Sequence, residues 1–192
     1  MSDFSYAVQL AQKLIRCPSI TPEEAGTLDL LEEELTQHGF NCTRLAFGDG
    51  KDRIDNLYAE FGEGPAHFAF AGHVDVVPVG RVEDWQFNPF QAEISEGFLY
   101  GRGAADMKSG IAAFISAIRQ WQESSQKQTK ISLIITGDEE ADAINGTSKM
   151  VDWMRQNNIR PDMCIVAEPT SQTQIGDNIR NGRRGSLSGS LI

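Results

Sequence analysis

The chain has 192 residues, 40% of them apolar and 23% charged, with a formal net charge of −10 at pH 7. That is enough for one substantial packed domain and excludes global disorder. The acidic balance argues against a nucleic-acid or anionic-membrane surface, where a basic stripe is expected.

Residues 4–16 read as an amphipathic helix, with Phe4, Val8, Ala11 and Ile15 at helical spacing and Pro18 marking its end. Thr21-Pro22-Glu23-Glu24 reads as the start of a second helix. Thr21 would cap it, Pro22 would take the first helical position and Glu24 would complete a capping box. Leu28, Leu31 and Leu35 give that helix a buried stripe, and Gly39 stops it. Short strands are expected over 41–47 and 56–61, and a buried strand over 67–77 that runs into a loop. A hairpin is expected around Glu96-Gly97 and a helix over 107–121. The nearly wholly apolar stretch 130–136 suits the centre of a covered sheet. A helix over 147–156, a strand over 163–166 and an Asn181-Gly182 turn complete the pattern. Strands alternating with helices predict a layered α/β domain with a mixed or mostly parallel sheet.

The three cysteines, Cys17, Cys42 and Cys164, form no C-x-x-C pair and read as reduced, buried small residues of a cytosolic protein. The opening MSDFSYAVQL has no basic leader region, and no apolar run approaches the roughly 20 residues that span a bilayer. A cytoplasmic protein without membrane or nucleic-acid partners is expected.

Four clusters carry the chemistry: Gly72-His73-Val74-Asp75, Ala105-Asp106-Met107, Gly137-Asp138-Glu139-Glu140 and Ala167-Glu168-Pro169. Three of them directly follow apolar strand-like runs, and in open α/β sheets sites gather beyond the carboxyl ends of strands. Carboxylates that converge in one cleft must take up protons or bind cations. One histidine among several carboxylates suits zinc or a similar first-row ion better than magnesium. A carboxylate bridging two ions would make a hydrolytic two-metal site. Taken singly, each signal has a plainer reading. A lone His73 fits a core or loop, Asp-Glu-Glu fits a solvated acidic loop, Asp75 could cap a turn and Asp106 could cap a helix. Three other chemistries fail on the residues. Asp106 stands where a dinucleotide fingerprint needs its third glycine, Lys108-Ser109 lacks the glycine of a phosphate loop, and no G-x-S-x-G elbow occurs.

AGHVDVVPVG, Trp85 with Asn88-Pro89-Phe90, LYGRGAADMKSGIAAF, ITGDEEADAINGT, AEPTS and NGRRGSL occur in an order and spacing that resemble the zinc metallopeptidases of the aminoacylase and carboxypeptidase type. GRGAADMK with NGRRGSL is most similar to the desuccinylase branch, ahead of acetylornithine deacetylases and dipeptidases. The resemblance implies a layered α/β/α catalytic domain and a metal-dependent amidohydrolase that removes succinate from N-succinyl-LL-2,6-diaminopimelate, on the route to lysine. It implies two zinc ions, with cobalt as a substitute. His73 and Glu168 would hold one ion and Glu140 the other, with Asp106 bridging them. Asp75 would accept a hydrogen bond from His73, Glu139 would be the general base, and Arg183 would bind a substrate carboxylate. The peptide between Asp106 and Met107 would be cis.

The chain departs from that family in two ways. The family places a second, late histidine on the other ion, whereas here only His38, His67 and His73 occur. His67 is too far along its strand from His73, and His38 sits in a last helical turn. The lid domain that pairs family members as homodimers is also missing. Residues 1–182 then read as the first part of the metal-binding domain and 183–192 as the truncated start of the lid. Such a piece is expected to bind at most one zinc well and to have little activity of its own. A remnant that binds metal or ligand without catalysis is the alternative of a different class.

Overall fold

The computed structural model describes residues 4–123 and 128–182. Its helices are α1 (Phe4–Ile15), α2 (Thr27–Gln37), α3 (Ser109–Glu123) and α4 (Thr147–Gln156). Its strands are β1 (Asn41–Phe47), β2 (Ile54–Phe61), β3 (Ala66–His73), β4 (Glu93–Ser95), β5 (Phe98–Tyr100), β6 (Thr129–Thr136) and β7 (Met163–Val166).

Five strands form one mixed sheet in the order β1-β2-β6-β3-β7. β2 is antiparallel to β1 and β6, whereas β3 is parallel to β6 and β7. Only β2 therefore opposes the rest. The apolar stretch read as a central strand is the middle one, β6. Its alternate residues supply the two sides of the sheet. Leu133 and Ile135 join α1, α2 and α3 residues such as Leu14, Leu31 and Ile111 in one core. Ile134 faces the other way, toward Met150 and Met154 of α4. The result is the expected α/β/α layering. β4 and β5 form a separate hairpin in which Glu96 and Gly97 both have positive φ, as its tight turn requires.

Three local expectations are corrected. The second helix begins at Thr27, about five residues later than the capping pattern suggested. The segment before it is taken by tertiary pairing. Ile20 bridges Val76 in parallel fashion, and the Thr21 amide donates to the Val76 carbonyl at 3.1 Å. Glu24 still caps the helix, accepting from the Leu28 amide at 2.9 Å, but from outside it. The third helix starts at Ser109, because Asp106 and Met107 have non-helical backbone angles inside an irregular turn, Ala104–Lys108. Cys164 is exposed, since β7 lies at the sheet edge with all four residues open to solvent; Cys17 and Cys42 are half-buried, and all three thiols are free. Among the described residues no helix is long and apolar enough to cross a membrane. The proposed boundary segment 183–192 lies outside the described residues.

Candidate metal centre

The parallel register aligns the ends of three strands. His73 ends β3 opposite Thr136, the last residue of β6, and Ala71 lies opposite Val166, the last of β7. The loops that follow carry Asp75, then Asp138-Glu139-Glu140, then Glu168. The Ala104–Lys108 turn brings the fourth contributor, Asp106. Met107 fixes that turn beneath β3. Its side chain is fully buried, and a Cβ on Gly72 would sit 2.7 Å from its Cε. A side chain at 72 would force the Met107 tip to shift.

His73 is 1% exposed and lies at the centre. Its Nε2 is 3.0 Å from Asp106 Oδ1 and 3.8 Å from Glu168 Oε1. Its Nδ1 is 2.9 Å from the Asp75 backbone carbonyl and 3.5 Å from Asp75 Oδ1. In the neutral ring Nδ1–H donates to that carbonyl, which leaves the Nε2 lone pair facing the carboxylates. Burial opposes the imidazolium, but hydrogen bonding and charge from Asp75, with help from Asp106, outweigh it and raise the His73 pKa to about 9.

Asp75 is also 1% exposed. Its carboxylate accepts the Glu139 amide at 3.1 Å and the Glu140 amide at 3.0 Å, so it grips the acidic loop as well as flanking the imidazole. Asp138 holds the same loop from within, accepting from the Ala143 and Asn145 amides at 3.1 and 3.0 Å. Burial, then the charge of Asp106, raise the pKa values of Glu140 and Glu168. The metal-free pocket therefore disfavours the charged forms of these two acids.

Among the described residues, ligand-capable atoms fall into two groups, each with all members within 4.8 Å of one another. One is His73, Asp106 and Glu168; the other is His73, Glu139 and Glu140. All the described residues singled out in the sequence thus meet in one place. Arg183 lies outside the described residues. The other two histidines are elsewhere. His67 is near the start of β3, with Nε2 2.9 Å from Ser132 Oγ, and His38 caps α2, with Nε2 3.3 Å from the Tyr6 hydroxyl. The peptide between Asp106 and Met107 is cis.

Sequence reasoning passed over Asp138, Met107 and Lys108. Lys108 is wholly buried, and burial lowers its pKa to about 8. A lysine beside Met107 and before the apolar face of α3 was the available signal for it.

Residues 69–180 match the sequence profile of peptidase family M20/M25/M40. The chain is 52% identical over 186 residues to succinyl-diaminopimelate desuccinylase of Rhodospirillum centenum, covering 96% of this chain and 48% of that protein. It is 51% identical over 185 residues to the protein of the same name from Parvibaculum lavamentivorans, covering 96% and 47%. The chain thus spans about half the length of the curated relatives it matches. Human carnosine dipeptidase 1 shares the fold with a TM-score of 0.73 at 24% identity, over 84% of this chain and 38% of that one. An M20 family metallo-carboxypeptidase from Sulfolobus solfataricus gives a TM-score of 0.72 at 23% identity, over 87% and 37%. On the profile match across most of its length and on a fold shared with such hydrolases, the chain belongs to peptidase family M20/M25/M40.

Proposed function

We propose that the chain supplies the metal-binding half of a cytoplasmic, metal-dependent amidohydrolase that removes succinate from N-succinyl-LL-2,6-diaminopimelate. The observation that carries this reading is the 52% identity to a succinyl-diaminopimelate desuccinylase across nearly the whole chain. The convergence of His73, Asp106, Glu140 and Glu168 supports it.

The donor set fits a divalent first-row metal. One imidazole with its Nε2 turned inward, and carboxylates among which Glu140 and Glu168 have raised pKa values, make a cluster that a dication neutralises. In this reading His73, Glu168 and Asp106 would hold one zinc, and Glu140 with Asp106 would hold a second. Cobalt can replace zinc at such donors. The second ion lacks a histidine within this chain, so two-metal occupancy belongs to the complete enzyme, whose lid domain also pairs it as a homodimer. A metal pair supplies Lewis acidity toward the acyl carbonyl and acidifies the attacking water.

The protein's own residues then have distinct tasks. Glu139 accepts the proton of the attacking water and returns it to the departing amine nitrogen. The Asp75 carbonyl fixes the His73 tautomer, while its carboxylate keeps Glu139 and Glu140 in register through their amides. Arg183 takes a substrate carboxylate in a two-pronged contact. Products are succinate and LL-2,6-diaminopimelate. The test is substrate profiling of the complete, zinc-loaded enzyme against N-succinyl-LL-2,6-diaminopimelate, N-acetylornithine and dipeptides. Preferential release of succinate supports the reading; preferential turnover of either other class overturns the substrate assignment.

Metal uptake should also release protons. His73, with its pKa raised to about 9, is protonated at pH 7 in the metal-free site and must give up that proton to become a ligand. Metal affinity is expected to strengthen as pH rises toward that value and to weaken by about tenfold or more per unit below it. Calorimetric titration with zinc in buffers of different protonation enthalpy should show release of about one proton or more per chain at pH 7. Zero release would contradict this account.

A further inference from the structure

We propose that Lys108 is the positioning residue that holds Asp106 in place for the metal, by docking the Asp106 turn onto the end of α1. The inference rests on the metal-site reading above.

Lys108 has no exposed surface. A fully buried lysine is uncommon, because desolvating an ammonium costs more than apolar packing of the same volume. Its retention is explained when the charge fixes a particular geometry. The ammonium donates to the Leu14 carbonyl at 2.9 Å and to the Cys17 carbonyl at 2.8 Å. These carbonyls lie in the last turn of α1 and just beyond it, at the negative end of the helix dipole, where a cation is favoured. The Lys108 amide also donates to the Gly103 carbonyl at 2.9 Å. Asp106 therefore stands on a short arch closed at Gly103 and Lys108, and that arch is tied through Lys108 to α1.

The other side of the site uses the same platform. Ser19, two residues past Cys17 and fully buried, donates its hydroxyl to the Val74 carbonyl at 2.6 Å and accepts the Val76 amide at 2.9 Å. Asp75 lies between those two contacts. The end of α1 thus grips the arch of Asp106 through Lys108 and the loop of Asp75 through Ser19. The separation of Asp106 Oδ1 from His73 Nε2, 3.0 Å, is set across this shared support.

The test uses the complete enzyme with Lys108→Met, which keeps the length and apolar stem and removes the cation. Leu31→Ala serves as the control for lost stability, since Leu31 is fully buried on α2 in the main core. Zinc affinity is read by chelator competition, well below the melting temperature of every variant. Lys108→Met is expected to weaken zinc binding by roughly 10- to 100-fold, the range for residues that orient ligands. Leu31→Ala should melt lower yet bind zinc like wild type. Zinc affinity of Lys108→Met equal to wild type overturns the positioning role. Should Lys108→Met not accumulate folded, Lys108→Gln is read in the same way. Asp106→Ala, run alongside, separates two failures. If it loses zinc while Lys108→Met keeps it, only the role of Lys108 falls. If it also keeps wild-type affinity, the metal-site reading falls and the inference with it.

Discussion

Replacing Asp106 with alanine is expected to remove paired-metal binding and to lower amidohydrolase activity of the complete enzyme by at least ~1,000-fold. Asp106 is the carboxylate that faces His73 Nε2 at 3.0 Å, and its charge contributes to raising the pKa values of both Glu140 and Glu168. It therefore couples to His73, Glu140 and Glu168 alike. The substitution removes a charge that repels two neighbouring acids but also one that pairs with His73, so metal-free stability should change little. Metal analysis after dialysis, read with a melting curve, distinguishes this from unfolding. Wild-type metal content in Asp106→Ala would show a solvated carboxylate with no ligand role.

Glu139→Gln is expected to separate catalysis from binding. The amide keeps the size of the side chain but cannot accept the proton, so kcat should fall by roughly 100- to 10,000-fold. Metal content should stay at the wild-type level. The result matters because geometry alone leaves two roles open to Glu139. Its carboxylate belongs to a ligand-capable group with His73 and Glu140, while its amide is held by Asp75. Loss of metal in Glu139→Gln would make it a ligand and remove it as the general base.

Much of this was legible in the sequence because local rules and tertiary packing agree. Leu28, Leu31 and Leu35 recur at helical spacing and are all fully buried on α2. The apolar run of β6 is covered on both sides, by α1–α3 and by α4. Three of the four acidic or histidine clusters met because strand ends carry sites and the parallel strands end in register, while Asp106 reaches them from the Ala104–Lys108 turn. The misses have physical causes too. At Thr21 a sound capping pattern lost to strand-like pairing with Val76, a contact 55 residues away that no local signal reports. At Asp106 the helical periodicity of the following segment hid an arch whose backbone is not helical. Cys164 was read as buried from the general tendency of free cysteines, but β7 has a partner on one side only among the described residues. Among the described residues the side chains of Asp138 and Lys108 bond to backbone amides and carbonyls, which leave no mark in side-chain identity elsewhere in the chain.

The account rests on divalent cations sitting where these side chains converge. Anomalous diffraction at the zinc absorption edge, from crystals of the zinc-loaded protein, tests this directly. A peak about 2.0–2.2 Å from His73 Nε2 and from the Asp106 and Glu168 carboxylates is the predicted result. Zinc bound only at His38, His67 or Cys164, with the His73 cluster holding none, would contradict it.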